Sequence, residues 1–269
     1  GKSVFKSVEI INKKISKKIK NQFVHNQEKI DHILIKLDGT KQKSKIGANT
    51  TLAVSMAVKK LSAKLRKIPL YKSFLLRHKF KLPYPLMNII NGGAHANNGL
   101  RIQEFMIRPD GAKSFSESLR MCFLVINNLR KIIKTKGLST SVGDEGGFAP
   151  DLKSNLAALD LLDESISNSR YSLGENVFLA LDVASSELFK DKYYEWEGSS
   201  VAFQDLVDIY ADWTSRYPIV SIEDGMDESH DEAWLLLNEI LGKKINIVGD
   251  DLLVTQVKKI NHAIENNLC

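Results

Sequence analysis

Little in this chain of 269 residues is able to cross-link it. Two cysteines are present, Cys122 and Cys269. They are too few for a disulfide framework and lack the spacing of a metal-ligating set, so a reducing, cytoplasmic setting is the default expectation. No apolar run approaches the roughly 18 residues that a membrane span needs. The opening stretch, GKSVFKSVEI, follows its charge with no apolar segment of the secretory kind. The first residue is glycine, not methionine, and the true start is expected upstream. Low-complexity tracts and fixed-period repeats are missing too. Acids are scarce at the front: residues 1–80 hold 20 Lys/Arg against 4 Asp/Glu, and residues 81–269 hold 18 against 28. A basic leading segment could suit nucleic acid or an anionic membrane surface. Aromatics able to stack on bases are sparse there, however, and the lysines are interleaved with Ile, Val and Leu. A solvated helix face is the expected reading, with no nucleic-acid partner.

What is present is ordinary globular composition, 43% hydrophobic and 26% charged. The length suits one large domain or two smaller ones. Val4, Val8, Ile11, Ile15 and Ile19 recur at helical spacing, which predicts a helix over residues 3–20. A second is expected over 26–37, and an alanine-rich third over TTLAVSMAVKKLSAKL. Pro69, Pro83 and Pro85 bracket a linker, placing a domain boundary near residues 79–82. Beyond it the rhythm changes. Short apolar runs at 85–90 and 101–107 precede a long helix, which opens at the capping-box pattern SFSE (114–117) and ends at Gly137. A further helix carries Leu152, Leu156, Leu159, Leu162 and Ile166. Three strand–helix units follow, with strands at 176–182, 218–224 and 245–251 and a final helix at 256–265. Strands alternating with helices predict an α/β fold with parallel pairing and helices outside the sheet.

Each of those three runs ends in an acid: Asp182, Glu223 and Asp250. Parallel strands bring their C-terminal ends to one face, so the three carboxylates are expected to converge. A pair some 4 Å apart repels by roughly 4 kcal/mol at an effective dielectric near 20. A divalent cation relieves that repulsion, and an all-oxygen set favours Mg²⁺ over zinc. The plainer alternative is that each acid caps the helix after it. Two glycine loops add to the pattern. SVGDEGGFAP (141–150) sets Asp144 and Glu145 among Gly143, Gly146 and Gly147, and NGGAHANN holds His95. Glycines let a backbone fold closely around a ligand. IQEF places Gln103 and Glu104 in a strand.

These residues carry a resemblance. SKIGANTTLAVSMAV, NGGAHANN, IQEFMI, VGDEGGFAP, LALDVASSE, SIEDG and VGDDL stand in the order seen in enolases, along nearly the whole chain. Each motif is weak alone; the ordered set is specific. The resemblance implies an enolase-type (β/α)8-like barrel, incomplete here, preceded by the mostly helical remainder of an α+β N-terminal domain. Residues 1–80 would belong to that N-terminal domain and 81–269 to the first part of the barrel. It implies a glycolytic hydro-lyase that interconverts 2-phospho-D-glycerate and phosphoenolpyruvate with Mg²⁺, working as a homodimer or larger oligomer. The implied location is the cytoplasm, with a cell-surface or secreted pool reported for some members. Residue by residue, Asp182, Glu223 and Asp250 match metal ligands and Glu145 matches the general acid. Glu104 matches a carboxylate assisting near the departing hydroxyl, and His95 and Gln103 match substrate-contacting positions. A raised pKa is expected for Glu145, since a proton donor must keep its proton near neutral pH.

The sequence also departs from the family pattern. The family's general base is a lysine on a later strand, absent from these residues, as are a later His-Arg-Ser segment, a second lysine and the serine-bearing mobile loop. The chain is therefore expected to be part of a longer enolase, and inactive alone. The alternatives are a truncated, catalytically inactive relative kept for binding, and another dehydratase of the same superfamily, which the complete motif set disfavours.

Overall fold

The computed structural model describes residues 3–74, 80–143 and 145–269. Asp144 and part of the expected linker fall outside the described residues. The chain divides into two compact units, Gly1–Lys81 and Leu82–Cys269.

The first unit is helical. The expected helix over 3–20 is present as α1 (Phe5–Ile10), a π-helical turn (Ile11–Ile15) and α2 (Ser16–Ile19). Helix α3 (Gln27–Asp38) starts where Asn26 accepts the Lys29 backbone N–H at 3.1 Å, and it ends at Gly39 in the left-handed region. Helix α4 spans Ala48–Leu65. Ile15, Ile30, Leu34, Ile46 and Val54 form the core, which is small for three helical segments. A buried carboxylate supplements it: Asp38 accepts backbone N–H groups from Thr40, Lys45 and Ile46 and so fixes the α3–α4 connection. Burial opposes its charge, but these bonds together with the Thr40 hydroxyl win, and its pKa lies below the usual value.

The second unit is built on a five-stranded sheet in the order β1-β2-β3-β7-β8. Its strands are β1 (Met87–Asn91), β2 (Glu104–Arg108), β3 (Phe178–Asp182), β7 (Ile219–Glu223) and β8 (Asn246–Val248). Strands β3, β7 and β8 are parallel neighbours, as the strand–helix rhythm requires. Strand β2 is antiparallel to both β1 and β3. The sheet is open, with β1 and β8 at its edges. Strand β8 is shorter than the apolar run 245–251 suggested, and Asp250 lies beyond its end.

Helices α5 (Phe115–Thr135), α6 (Asn155–Asn168), α7 (Phe203–Arg216), α8 (Asp231–Leu241) and α9 (Val257–Glu265) complete the unit. In α5 the face Met121, Cys122, Val125, Leu129, Ile132 and Ile133 is buried, at the spacing of a helix that covers a sheet. Its start keeps half of the expected capping box. The Ser114 hydroxyl accepts the Glu117 N–H at 3.2 Å, while the Glu117 carboxylate reaches the N–H of Lys113 and not that of Ser114.

An element with no counterpart in the sequence reading is a small meander, β4 (Phe189–Lys190), β5 (Tyr193–Trp196) and β6 (Ser199–Val201). Its two hairpins turn on Asp191-Lys192 and Glu197-Gly198, all four at positive φ, the conformation of the tight turn that matches strand twist. Tyr194 and Trp196 alternate inward into the main core.

Candidate functional site

The strand register builds the site. Glu104 pairs with Asp182, and Asp182 pairs with Glu223. On either side the row continues to Asn91 of β1 and Val248 of β8. Three acids thus stand on neighbouring strands along one rim of the sheet. Glu104 joins them from the first residue of its strand, because β2 runs opposite to β3.

Two loops close over Glu104. The first leaves β1 at Gly92. The N–H of Gly92 donates to Gln103 O and that of Gly93 to Leu100 O, each at 3.0 Å, so the loop lies against the segment entering β2. A Cβ on Gly92 would meet Ile102 O at 2.4 Å and the Leu100 side chain at 2.5 Å, which explains the glycine. His95 sits at the end of the short turn Gly93–His95, half-buried. The second loop is the glycine hairpin around Glu145. Phe148 donates to Ile89 O and accepts from Asn91 N, both at 2.8 Å, stitching the hairpin to β1. The Asn91 amide donates to Gly146 O. Gly147, at φ +72, has room for no side chain, since an added Cβ would lie 2.8 Å from the Ile89 carbonyl.

The result is a cluster of His95, Glu104 and Glu145. The imidazole lies between the carboxylates, with Nδ1 3.6 Å from Glu104 and Nε2 3.7 Å from Glu145. Both spacings exceed a hydrogen bond. Nδ1 is shielded and makes no hydrogen bond. Gln103, one residue before β2, is half-buried beside the Gly92 loop.

Charge is crowded along the row. Burial is the main cause that pushes the Glu104 carboxyl up to about 8, helped by a hydrogen bond shared with Glu145 and the charges of Asp182 and Glu223. Burial and then Glu223 push Asp182 up to about 7. Glu223 is raised by burial and by Asp224, Asp250 and Asp251. Glu145 behaves contrary to the sequence expectation, because its pKa is lowered. The hydrogen bond from Glu104 is the largest cause, with His95 adding to it against slight desolvation. The physical reason is exposure: the Glu145 side chain is 54% exposed and that of Glu104 only 12%. Water solvates the charge in the bare turn, so ionisation is easier at Glu145 than at the buried Glu104.

The three acids read as metal ligands are not gathered as one set. Among the described residues, the His/Cys/Asp/Glu group whose ligand atoms all lie within 4.8 Å of one another is His95, Glu104 and Glu145. Asp182 and Glu223 are strand neighbours, while Asp250 stands in the loop after β8 and acts on Glu223 through its charge. That loop is held by a residue the sequence reading did not single out. The buried Asp224 accepts the backbone N–H of Asp250 at 3.0 Å and of Asp251 at 2.9 Å. Its own φ is +43. The signal in the sequence is the second acid of SIED, which one expects in water and which the fold buries.

Residues 79–269 match the family model described as the enolase C-terminal TIM barrel domain, and residues 1–74 match that of the enolase N-terminal domain. The chain belongs to the enolase family. It is 54% identical over 268 residues to an enolase of Pelagibacter ubique, which covers 99% of this chain and 64% of the relative. It is 48% identical over 265 residues to an enolase of Bdellovibrio bacteriovorus, covering 98% of this chain and 63% of the relative. The chain thus spans less than two thirds of the length of these two enolases. Its open sheet is the mixed α/β beginning of the barrel that the family model describes. No described helix is long and apolar enough to cross a membrane.

Proposed function

We propose that the protein carrying this chain is a phosphopyruvate hydratase, which reversibly removes water from 2-phospho-D-glycerate to give phosphoenolpyruvate. The observation that carries the reading is the register row Glu104–Asp182–Glu223 with the His95 and Glu145 loops closed over its first member. Residues 1–80 are read as the helical end of the family's N-terminal domain and 81–269 as the first part of the barrel.

The donor chemistry fits a hard divalent cation. Asp182 and Glu223 are part-buried and adjacent, and burial followed by the neighbouring acids raises their pKa values. Asp182, Glu223 and Asp250 would hold Mg²⁺ through oxygen alone. When bound, Mg²⁺ supplies Lewis acidity and positive charge at the substrate carboxylate. The chain's own residues manage the departing hydroxyl. Burial raises the Glu104 carboxyl while the exposed Glu145 is lowered, so Glu104 is the stronger holder of a proton. In this reading Glu145 delivers a proton to the departing oxygen, with Glu104 beside it to replace the one it gives. His95 and Gln103, on adjoining loop segments, contact the substrate, and the glycines beneath them allow the close approach. A homodimer or larger assembly is the partner state carried over from the family.

The test uses the protein that carries this chain, with dehydration followed by ultraviolet absorbance of the enol phosphate. Turnover should require Mg²⁺. Glu145→Gln should lower kcat by ~10²–10⁴-fold, the usual weight of a positioned acid. Formation of no enol phosphate at saturating Mg²⁺ overturns the reading.

A further inference from the structure

Asn155, the first residue of α6, is completely buried, and every polar atom it offers near the site is used. Its side-chain Oδ1 accepts the backbone N–H of Arg101 at 3.0 Å and of Ile102 at 3.2 Å. Its Nδ2 donates to Glu197 Oε1 at 3.0 Å, and its backbone N–H donates to the same oxygen at 2.6 Å. Glu197 lies on the β5–β6 hairpin turn at φ +47, exposed, and 42 residues away in sequence. The hairpin therefore reaches the start of α6, and the start of α6 grips the two residues immediately before Gln103 and Glu104.

The grip continues on the other side of the same segment. Leu100 O and Gln103 O hold Gly93 and Gly92, the base of the His95 loop. Segment 100–103 is thus clamped between Asn155 and the His95 loop. Glu197 is suited to its place, because an acidic side chain accepting from the first turn of a helix is favoured by the exposed N–H groups there. An amide at 155 is the residue type that can accept two backbone N–H groups while donating to a carboxylate.

We propose that Asn155 and Glu197 are positioning residues, which set the segment carrying Gln103 and Glu104 and, through it, the loop carrying His95. The functional weight of this rests on the hydratase reading; the mechanical linkage does not. Neither residue belongs to the motif set that identifies the site.

The experiment measures amide hydrogen exchange and the His95 ring resonances by NMR on the protein that carries this chain, selectively labelled at the residues followed. In Asn155→Ala, exchange at Arg101, Ile102, Gly92 and Gly93 is expected to quicken about tenfold to a hundredfold, while Leu129 and Ile222 stay within about threefold. The His95 ring signals should shift. Asn155→Asp keeps the acceptors but sets a second carboxylate against Glu197, so the same four amides should also exchange faster. Adding Glu197→Gln restores a donor facing Asp and should return them to within about threefold of the parent. Unchanged Gly92, Gly93 and His95 signals in Asn155→Ala overturn the inference, as does a uniform rise that includes Leu129 or a double variant that fails to recover. If instead the amides respond as expected and the parent protein forms no enol phosphate, the hydratase reading fails and the linkage stands.

Discussion

A methyl group at position 92 has nowhere to go. The backbone carbonyl of Ile102 and the Leu100 side chain both lie inside contact distance of an added Cβ. Gly92→Ala is expected to cost about 1–3 kcal/mol, the usual penalty for overpacking a rigid site, measured by urea unfolding. It should also displace the His95 loop. At this scale the sequence announces types well and environments poorly. Glycine loops flanking His95 and Glu145 were legible as tight turns, since glycine permits the positive φ found at Gly93, Gly146 and Gly147 and the close approach at Gly93 and Gly147. The opposite shifts of the two carboxyls were not. Glu104 and Glu145 are the same residue type, and burial of the first together with the bond and charge beside the second sets their pKa values apart. Asp224 and Asn155 escaped notice for a related reason. Buried polar residues read as surface residues until their partners are seen.

At the scale of the strands, the row of acids makes stability depend on pH in a definite direction. Asp182 and Glu104 start from 3.8 and 4.5 and reach about 7 and about 8 in the fold. Between those limits the folded state binds more protons than the unfolded one, so stability falls as pH climbs from about 4 to about 8. Thermal melting of the metal-free protein is expected to show a higher midpoint at pH 5 than at pH 8. Asp182→Asn should flatten that slope, and Mg²⁺ should restore part of the loss at pH 8. The parallel trio β3, β7 and β8 was legible from apolar runs punctuated by helices. The direction of β2 was not, because alternation of side chains is the same whichever way a strand runs. The meander was missed for its brevity: strands of two to four residues carry too little periodicity, although Glu-Gly at 197–198 is a recognisable tight turn.

For the molecule as a whole, the described sheet is open and the chain spans 64% of the Pelagibacter ubique enolase. Strand β8 pairs on one side only, with β7. In the proposed reading the proton-abstracting base is a lysine on a later strand, absent from these residues. The 269-residue chain alone is therefore expected to bind Mg²⁺, by calorimetry, and yet to form no enol phosphate. Measurable turnover by this chain would show that a base within it suffices. The boundary near residues 79–82 was legible from the prolines and the change of rhythm after them, and the compact units divide at Lys81 and Leu82.

The reversed strand has a kinetic corollary. Strands β1 and β2 meet across a short stretch of chain, whereas β3, β7 and β8 each wait for a helical crossover to close. Closing a short loop costs less entropy and is faster. Pulse-labelled refolding should accordingly find Phe105 protected before Ile222 and Ile247. The acid–imidazole corner would then be assembled early, and the half of the pocket suited to magnesium would mature around it.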